Sequence, residues 1–250
     1  MISLVIVLVV VISSFAYYLW CNNQQKTLEL CEELFSRKSY TKVIDKLSPI
    51  ARRGNVDAQF LVGECYYFQS DYETSKYWFE KAAEQGHAKS QGFLGVLYKS
   101  GKNGVLKDYK QAVYWFRKSA EQGNYASQYF LGDCYYNAIG VTQDYKEAIY
   151  WFIEAAKQDH PIAKYYLGVC YREGHGVKKD DKQAFKWYKK AAELGHIDAQ
   201  YELGNCYRYG DGVRKDREQA KFWYKKAREQ GHKYADPNYD LYEDYDDENL

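Results

Sequence analysis

The chain has 250 residues, 35 Lys+Arg against 34 Asp+Glu and a formal net charge of +1. At 46% hydrophobic and 28% charged it holds too much apolar material for a disordered polyelectrolyte, and three Pro and 18 Gly exclude collagen-like and Pro-rich classes. The charge balance gives no ground for a nucleic-acid binder, while 28 Tyr, 6 Trp and 11 Phe must be explained by packing or by binding.

Residues 1–20 carry no charged side chain and run almost unbroken from Ile2 to Ile12 in Val, Ile and Leu, then through Phe15 to Trp20. Twenty helical residues span about 30 Å, the thickness of a bilayer core. Tyr17, Tyr18 and Trp20 stand where an aromatic belt meets headgroups. A removable signal peptide competes, with Ser14-Phe15-Ala16 as its cleavage site, but no basic n-region precedes the apolar run. The length and the aromatic end favour an uncleaved anchor. A lipidated Cys21 is disfavoured by the bulk of Trp20. Lys26, Arg37, Lys38 and Lys42 lie beyond the run, so the positive-inside rule places the C-terminal bulk in the cytoplasm.

Residues 21–56 read as a linker with a degenerate helix pair that caps the region from residue 57 on. Leu28, Leu30, Leu34 and Phe35 supply its first helix, and Pro49 falls inside its second.

From residue 57 to 233 the sequence repeats. Trp78, Trp115, Trp151, Trp187 and Trp223 are spaced by 37, 36, 36 and 36, and Gly63, Gly95, Gly132, Gly168 and Gly204 by 32, 37, 36 and 36. Each period holds two amphipathic stretches of helical spacing. Asp108, Asp144, Asp180 and Asp216 precede the second stretch, each succeeded three residues on by Gln or Glu, which predicts a reciprocal capping box. Gly86, Gly123, Gly195 and Gly231 suit the left-handed position after the same helix, with Asp159 there once. The small Ala112, Ala148, Ala184 and Ala220 are expected to face the first-helix Gly. The Trp and the ring after it are expected to fill the space between repeats. The fold class is therefore all-α, a right-handed superhelical solenoid of antiparallel helix pairs.

The combination Leu-Gly-x-x-Tyr, Gly-Val-x-x-Asp and Ala-x-x-Trp-[Phe/Tyr]-x-x-Ala-Ala at this period resembles the Sel1-like repeat. The stretch Tyr165 to Val177, with Asp180, Ala184, Trp187, Ala191 and Ala192, carries the resemblance almost throughout. Tetratricopeptide repeats run at about 34 residues and lack the Gly-Val loop. The first repeat is four to five residues short between its helices. The resemblance implies a protein-interaction scaffold. Secreted cysteine-rich relatives pair Cys within each repeat; this chain lacks the second partner.

His87, His160, His196 and His232 recur in one slot, with Asn124 in the missing place, which predicts a local loop or packing role. His175 reads as a solvated turn residue. Cys65, Cys134, Cys170 and Cys206 share one apolar slot; stacked equivalents lie about 8–10 Å apart, too far for a disulfide. They are expected to be free thiols, in keeping with a reducing cytoplasm. No Cys-x-x-Cys, Ser-His-Asp ordering or phosphate-cradling loop stands out, so no catalytic residue, metal or cofactor is expected.

Binding is the sharper expectation. Solenoids offer an extended groove lined by first helices. The position after the repeated Tyr varies as Tyr67, Lys99, Tyr136, Arg172 and Arg208, as ligand-facing positions allow, and Tyr and Arg are common interface anchors. These five are the candidate protein-binding residues. The alternatives are an ordinary exposed helix face, a secreted or periplasmic host-interaction protein, or an envelope enzyme such as a β-lactam hydrolase. Residues 234–250 form an acidic, Tyr-rich tail expected to be disordered. The tail holds seven acids and no base, so residues 1–233 set 35 cations against 27 carboxylates, a net +8. The expected partner is a protein or peptide, with membrane contact through residues 1–20 and no nucleic acid.

Overall fold

The computed structural model describes residues 22–102 and 104–235, and among these residues the regular structure is helical with no strand. Helix α1 covers 22–36. After it come α2 (Tyr40–Arg52), α3 (Val56–Phe68), α4 (Tyr72–Glu84), α5 (Ala88–Ser100) and α6 (Tyr109–Glu121). The second half holds α7 (Tyr125–Tyr136), α8 (Tyr145–Lys157), α9 (Pro161–Glu173), α10 (Asp181–Glu193), α11 (Ile197–Tyr209) and α12 (Arg217–Glu229). The chain divides between Ser119 and Ala120 into two compact bodies. The apolar stretch of residues 1–20 and the acidic residues from 236 onward lie outside the described residues. Among the described residues no helix is long and apolar enough to cross a membrane.

One local device joins each helix pair to the next. The second helix ends with a left-handed residue, Gly86, Gly123, Gly195 and Gly231 at φ 86–91° and Asp159 at φ 61°. The N–H of the next residue then reaches five positions back: His87 to Ala82 O, His160 to Ala155 O, His196 to Ala191 O. That is the Schellman closure of a helix C-terminus. The same histidine caps the next helix, its Nδ1 accepting from the N–H of Ser90, Ala163 or Ala199 at 3.2 Å. Asn55 and Asn124 do this work for α3 and α7. The repeated His/Asn slot is thus the joint between pairs, the local role its recurrence implied.

Within a pair the capping expectation holds by half. Asp108, Asp144, Asp180 and Asp216 accept from the N–H groups of Gln111, Glu147, Gln183 and Gln219 at 3.0–3.1 Å. The return bond of a capping box is replaced. The Asp N–H groups donate instead to the carbonyls of Tyr98, Tyr135, Tyr171 and Tyr207, at 2.8–3.1 Å. The N-terminus of each second helix is thereby tied to its own first helix.

The packing inside each pair also corrects the sequence reading. A Cβ on Gly63, Gly95, Gly132, Gly168 or Gly204 would lie 2.4–2.7 Å from the ring of Phe79, Phe116, Phe152, Tyr188 or Tyr224. The first-helix glycine therefore makes room for the second-helix ring, and the facing alanines are buried beside it. These rings are fully buried or nearly so, and each contributes about 1.5–3 kcal/mol. The outer edge of the ring meets the next pair: Phe79 stacks on Phe93 at 4.8 Å and Phe152 on Tyr166 at 5.3 Å. Trp turns the other way, Trp78 joining Leu28 and Leu47 and Trp223 joining Ala191 and Ala192. The aromatic excess is largely this two-sided packing.

Candidate functional site

The five candidate residues all lie near the C-terminal ends of first helices, and all are half-buried. Their environments differ. The Tyr67 ring stands edge-on to Phe93 and Tyr72, and Lys102 Nζ lies 4.8 Å from its centre. Tyr136 packs on Tyr145 and Tyr166, and its hydroxyl hydrogen-bonds His175 Nδ1 at 2.9 Å. Burial raises the phenol of Tyr136 to about 12. His175 itself stacks on Tyr145 at 4.5 Å and is half-buried. It is a wall between loop and helix rather than a solvated turn residue.

Arg172 is the best-placed charge. Its Nη1 lies 2.6 Å from Glu202 on α11, its Nε lies 2.8 Å from Glu173, and its guanidinium sits 5.7 Å over the Tyr188 ring. Arg172 and Glu202 belong to first helices of neighbouring pairs, so the ion pair lies along the first-helix face of the C-terminal body. Arg208 rests 5.2 Å over the Tyr209 ring. Lys99 stands at the same slot of α5.

A cavity of about 290 Å³ opens on the first-helix face of the N-terminal body. Glu29, Glu32 and Phe35 come from α1, Asp57, Phe60 and Glu64 from α3, and His87 and Lys89 from the start of α5. None of the five candidates lines it. Glu64 has no hydrogen-bond or ion-pair partner among the described residues, and burial raises its carboxyl to about 7 against the pull of Lys89. Lys89 Nζ lies 5.8 Å from the Phe60 ring. The pocket offers apolar walls and an excess of carboxylate, a chemistry for holding a cationic side chain. No repeat mark signals it, because α1 lies outside the regular period and Glu64 occupies a slot that holds Val96 and Val169 elsewhere.

A second set of residues escaped the sequence reading. Gln59, Gln91, Gln128 and Gln200 are buried on first helices, and each Nε2 donates to a carbonyl of the preceding second helix: Ala51, Ala83, Ala120 and Ala192, at 3.0–3.3 Å. Gln85, Gln158 and Gln230 donate to the Oε1 of Gln59, Gln128 and Gln200. The fourth repeat breaks the ladder with Lys164, whose Nζ meets Asp159 Oδ1 at 2.5 Å. That Asp is the residue that replaces glycine in the left-handed position.

The cysteine expectation holds for the described residues. Cys31, Cys65, Cys134, Cys170 and Cys206 are buried free thiols. Burial raises Cys65, Cys170 and Cys206 to about 12. Among the described residues no group of three or more His, Cys, Asp or Glu could hold a metal ion.

Antiparallel helix pairs at a 36-residue period define a helical repeat protein. The chain belongs to the Sel1 repeat family: the family's profile, described as Sel1 repeat, matches residues 56–87, 88–124, 126–160, 161–196 and 197–232. The structure is similar to a Sel1 repeat protein from Oxalobacter formigenes, at 34% identity and a TM-score of 0.78, with 84% of each chain covered. It is also similar to c5321, a protective antigen of uropathogenic Escherichia coli strains with the same fold, at 34% identity and a TM-score of 0.78. That match covers 84% of this chain and 46% of the antigen, so the chain spans about half its length. No curated protein matches the chain.

Proposed function

We propose that the protein is a membrane-anchored interaction scaffold that takes a protein or peptide segment along its first-helix face. The observation that carries this is the cavity of about 290 Å³, lined by side chains of α1, α3 and the start of α5, with the carboxyl of Glu64, which has no hydrogen-bond or ion-pair partner among the described residues, in its wall. Considered separately, first helices of the C-terminal body carry Tyr136, Arg172 and Arg208, and first helices of the N-terminal body carry Tyr67 and Lys99, all in one repeat slot. The cavity of the N-terminal body suits cationic side chains of a partner, and Arg172 and Arg208 of the C-terminal body suit carboxylates. Residues 1–20 hold the scaffold at the bilayer, with the repeats in the cytoplasm. Substituting Arg172 and Arg208 together is expected to weaken partner capture from membranes while the helical circular dichroism stays unchanged. Undiminished capture refutes the role of Arg172 and Arg208, and undiminished capture by Glu64→Ala refutes that of the cavity.

A second reading concerns location. The similarity to a protective antigen favours an exported form, cleaved after Ala16. N-terminal sequencing of the mature protein decides: a chain that begins at Met1 keeps the anchor, and one that begins at Tyr17 has lost it.

A further inference from the structure

The last repeat presents an end that every earlier repeat covers, and the chain continues onto that end with opposite charge. In the first four repeats the second residue of the Ala-Ala pair (Ser-Ala in the second repeat) faces the next pair and is nearly inaccessible: Ala83 3%, Ala120 2%, Ala156 6%, Ala192 2%. The fifth repeat puts Arg228 in that place, and it is exposed. Two residues before the Trp, the middle repeats carry Val113, Ile149 and Phe185. The first two are buried, and Phe185 packs edge-on against Tyr207 of the next pair at 5.4 Å. The fifth repeat has Lys221 there. Helix α12 as a whole carries Arg217, Lys221, Lys225, Lys226 and Arg228 against Glu218 and Glu229. A solenoid end needs a polar outer face or a cover.

The chain leaves α12 through the same joint as the earlier repeats, the N–H of His232 reaching Ala227 O. His232 stacks on Tyr201 at 4.3 Å as His196 stacks on Tyr165 at 4.7 Å. Ala235 comes three residues after His232, as Ala199 comes after His196, and is 3% exposed against 0% for Ala199. By sequence offset Ala235 takes the place of Ala199, although His232 Nδ1 accepts from the N–H of Tyr234, two residues on, where His196 accepts from that of Ala199, three on. Pro237 comes two residues after Ala235, and proline has no N–H to donate to a helix ladder. Beyond Ala235 the chain has fifteen residues, with seven carboxylates, three Tyr and two Leu. Fully extended, they reach about 50 Å, several times the roughly 10 Å diameter of a helix.

We propose that residues 236–250 are the cover of this end: they lie across α11 and α12 in the seat that the next first helix fills in earlier repeats, with their carboxylates against Lys221, Lys225, Arg228 and Lys233 and their Tyr side chains on the apolar floor between. The device closes the stack and keeps two copies from joining end to end. It also makes the cover sensitive to ionic strength, because exposed ion pairs are screened within about 10 Å at 0.1 M salt.

The test uses the full chain in detergent micelles. Zero-length carbodiimide coupling at low salt, with peptide mapping of the monomer band, is expected to join tail carboxylates to Lys221, Lys225 or Lys233. The yield should fall severalfold at 0.5 M salt. Links that form only between two copies, links spread evenly over lysines of earlier repeats such as Lys146 and Lys182, or no links at all, would overturn the proposal. A second measurement compares hydrogen exchange in α11 and α12 between the native chain and one whose seven tail carboxylates are changed to amides. Exchange about tenfold faster in the amide variant, equivalent to about 1.4 kcal/mol, is expected with α8 and α9 unchanged. Equal rates in α11 and α12 would also overturn it.

Discussion

Tyr188→Phe is predicted to stabilise the protein, although it removes a polar group from an intact core. The Tyr188 side chain is fully buried and its hydroxyl has no hydrogen-bond partner among the described residues. The equivalent Tyr224 does have one: its hydroxyl donates to Asn205 Oδ1 at 2.7 Å. The place of Asn205 is taken by Val169 in the fourth repeat, which explains the orphan. A buried hydroxyl without a partner costs about 1–3 kcal/mol, whereas a satisfied one contributes about 0.5–1.5 kcal/mol. The first three repeats already hold Phe79, Phe116 and Phe152 in this slot, each fully buried, so the ring fits without the oxygen. Loss of the oxygen's dispersion contacts offsets a few tenths of a kcal/mol. Tyr188→Phe should therefore gain about 1 kcal/mol and Tyr224→Phe should lose about 1 kcal/mol. Urea unfolding monitored by circular dichroism reads both as shifts of midpoint in opposite directions. A loss of 1 kcal/mol or more in Tyr188→Phe would show that its hydroxyl has a partner and refute the reasoning.

Other outcomes rest on the same packing. Gly168→Ala would set a Cβ 2.5 Å from the Tyr188 ring, and overpacking of this kind costs about 1–3 kcal/mol; a midpoint equal to the native one would contradict the ring-on-glycine account. Burial lowers the imidazoles of His87, His160 and His196 from the ordinary 6.5, so the unfolded chain takes up protons first as pH falls. Their contribution is present above pH 6.5 and is lost as pH drops through the lower folded values. Changing all three to Asn, the residue used at Asn55 and Asn124, should flatten stability between pH 7 and 5; an unchanged slope removes them as the cause. Asp159→Gly relieves a left-handed backbone but takes from buried Lys164 its carboxylate partner. It should destabilise alone and be rescued by Lys164→Gln, which urea midpoints of the double-mutant cycle test; simple additivity would deny the coupling. The five buried thiols should resist a disulfide reagent at pH 8 until the chain is unfolded, and rapid native-state modification of Cys65, Cys170 or Cys206 would contradict their burial.

The parts of the fold legible in the sequence were those written as local backbone chemistry. Glycine after a second helix, Asp before it and His or Asn between pairs each serve groups within a few residues, so their recurrence reads directly as caps and joints. The readings that needed correction concern partners distant in sequence. Gly168 was matched to an alanine because small residues suggest close helices, yet its neighbour is the Tyr188 ring. The capping pattern offers Gln183 to the amide of Asp180, yet that amide donates to the carbonyl of Tyr171. His175 was read from its loop alone, without the rings of Tyr136 and Tyr145 that enclose it. The Gln59 to Gln200 ladder does recur at the period, but a buried amide has no signature until its carbonyl partner is known. The cavity around Glu64 was illegible for a different reason: its wall is α1, which obeys no repeat.

The most direct test of the central claim is photo-crosslinking from membranes with the full-length chain. A photoreactive side chain placed at Phe60 or Arg172, on first helices, is compared with one at Tyr114 or Tyr150, exposed on second helices. The account predicts a discrete partner adduct from the first pair of positions and none from the second. Adducts from Tyr114 and Tyr150 alone would contradict it.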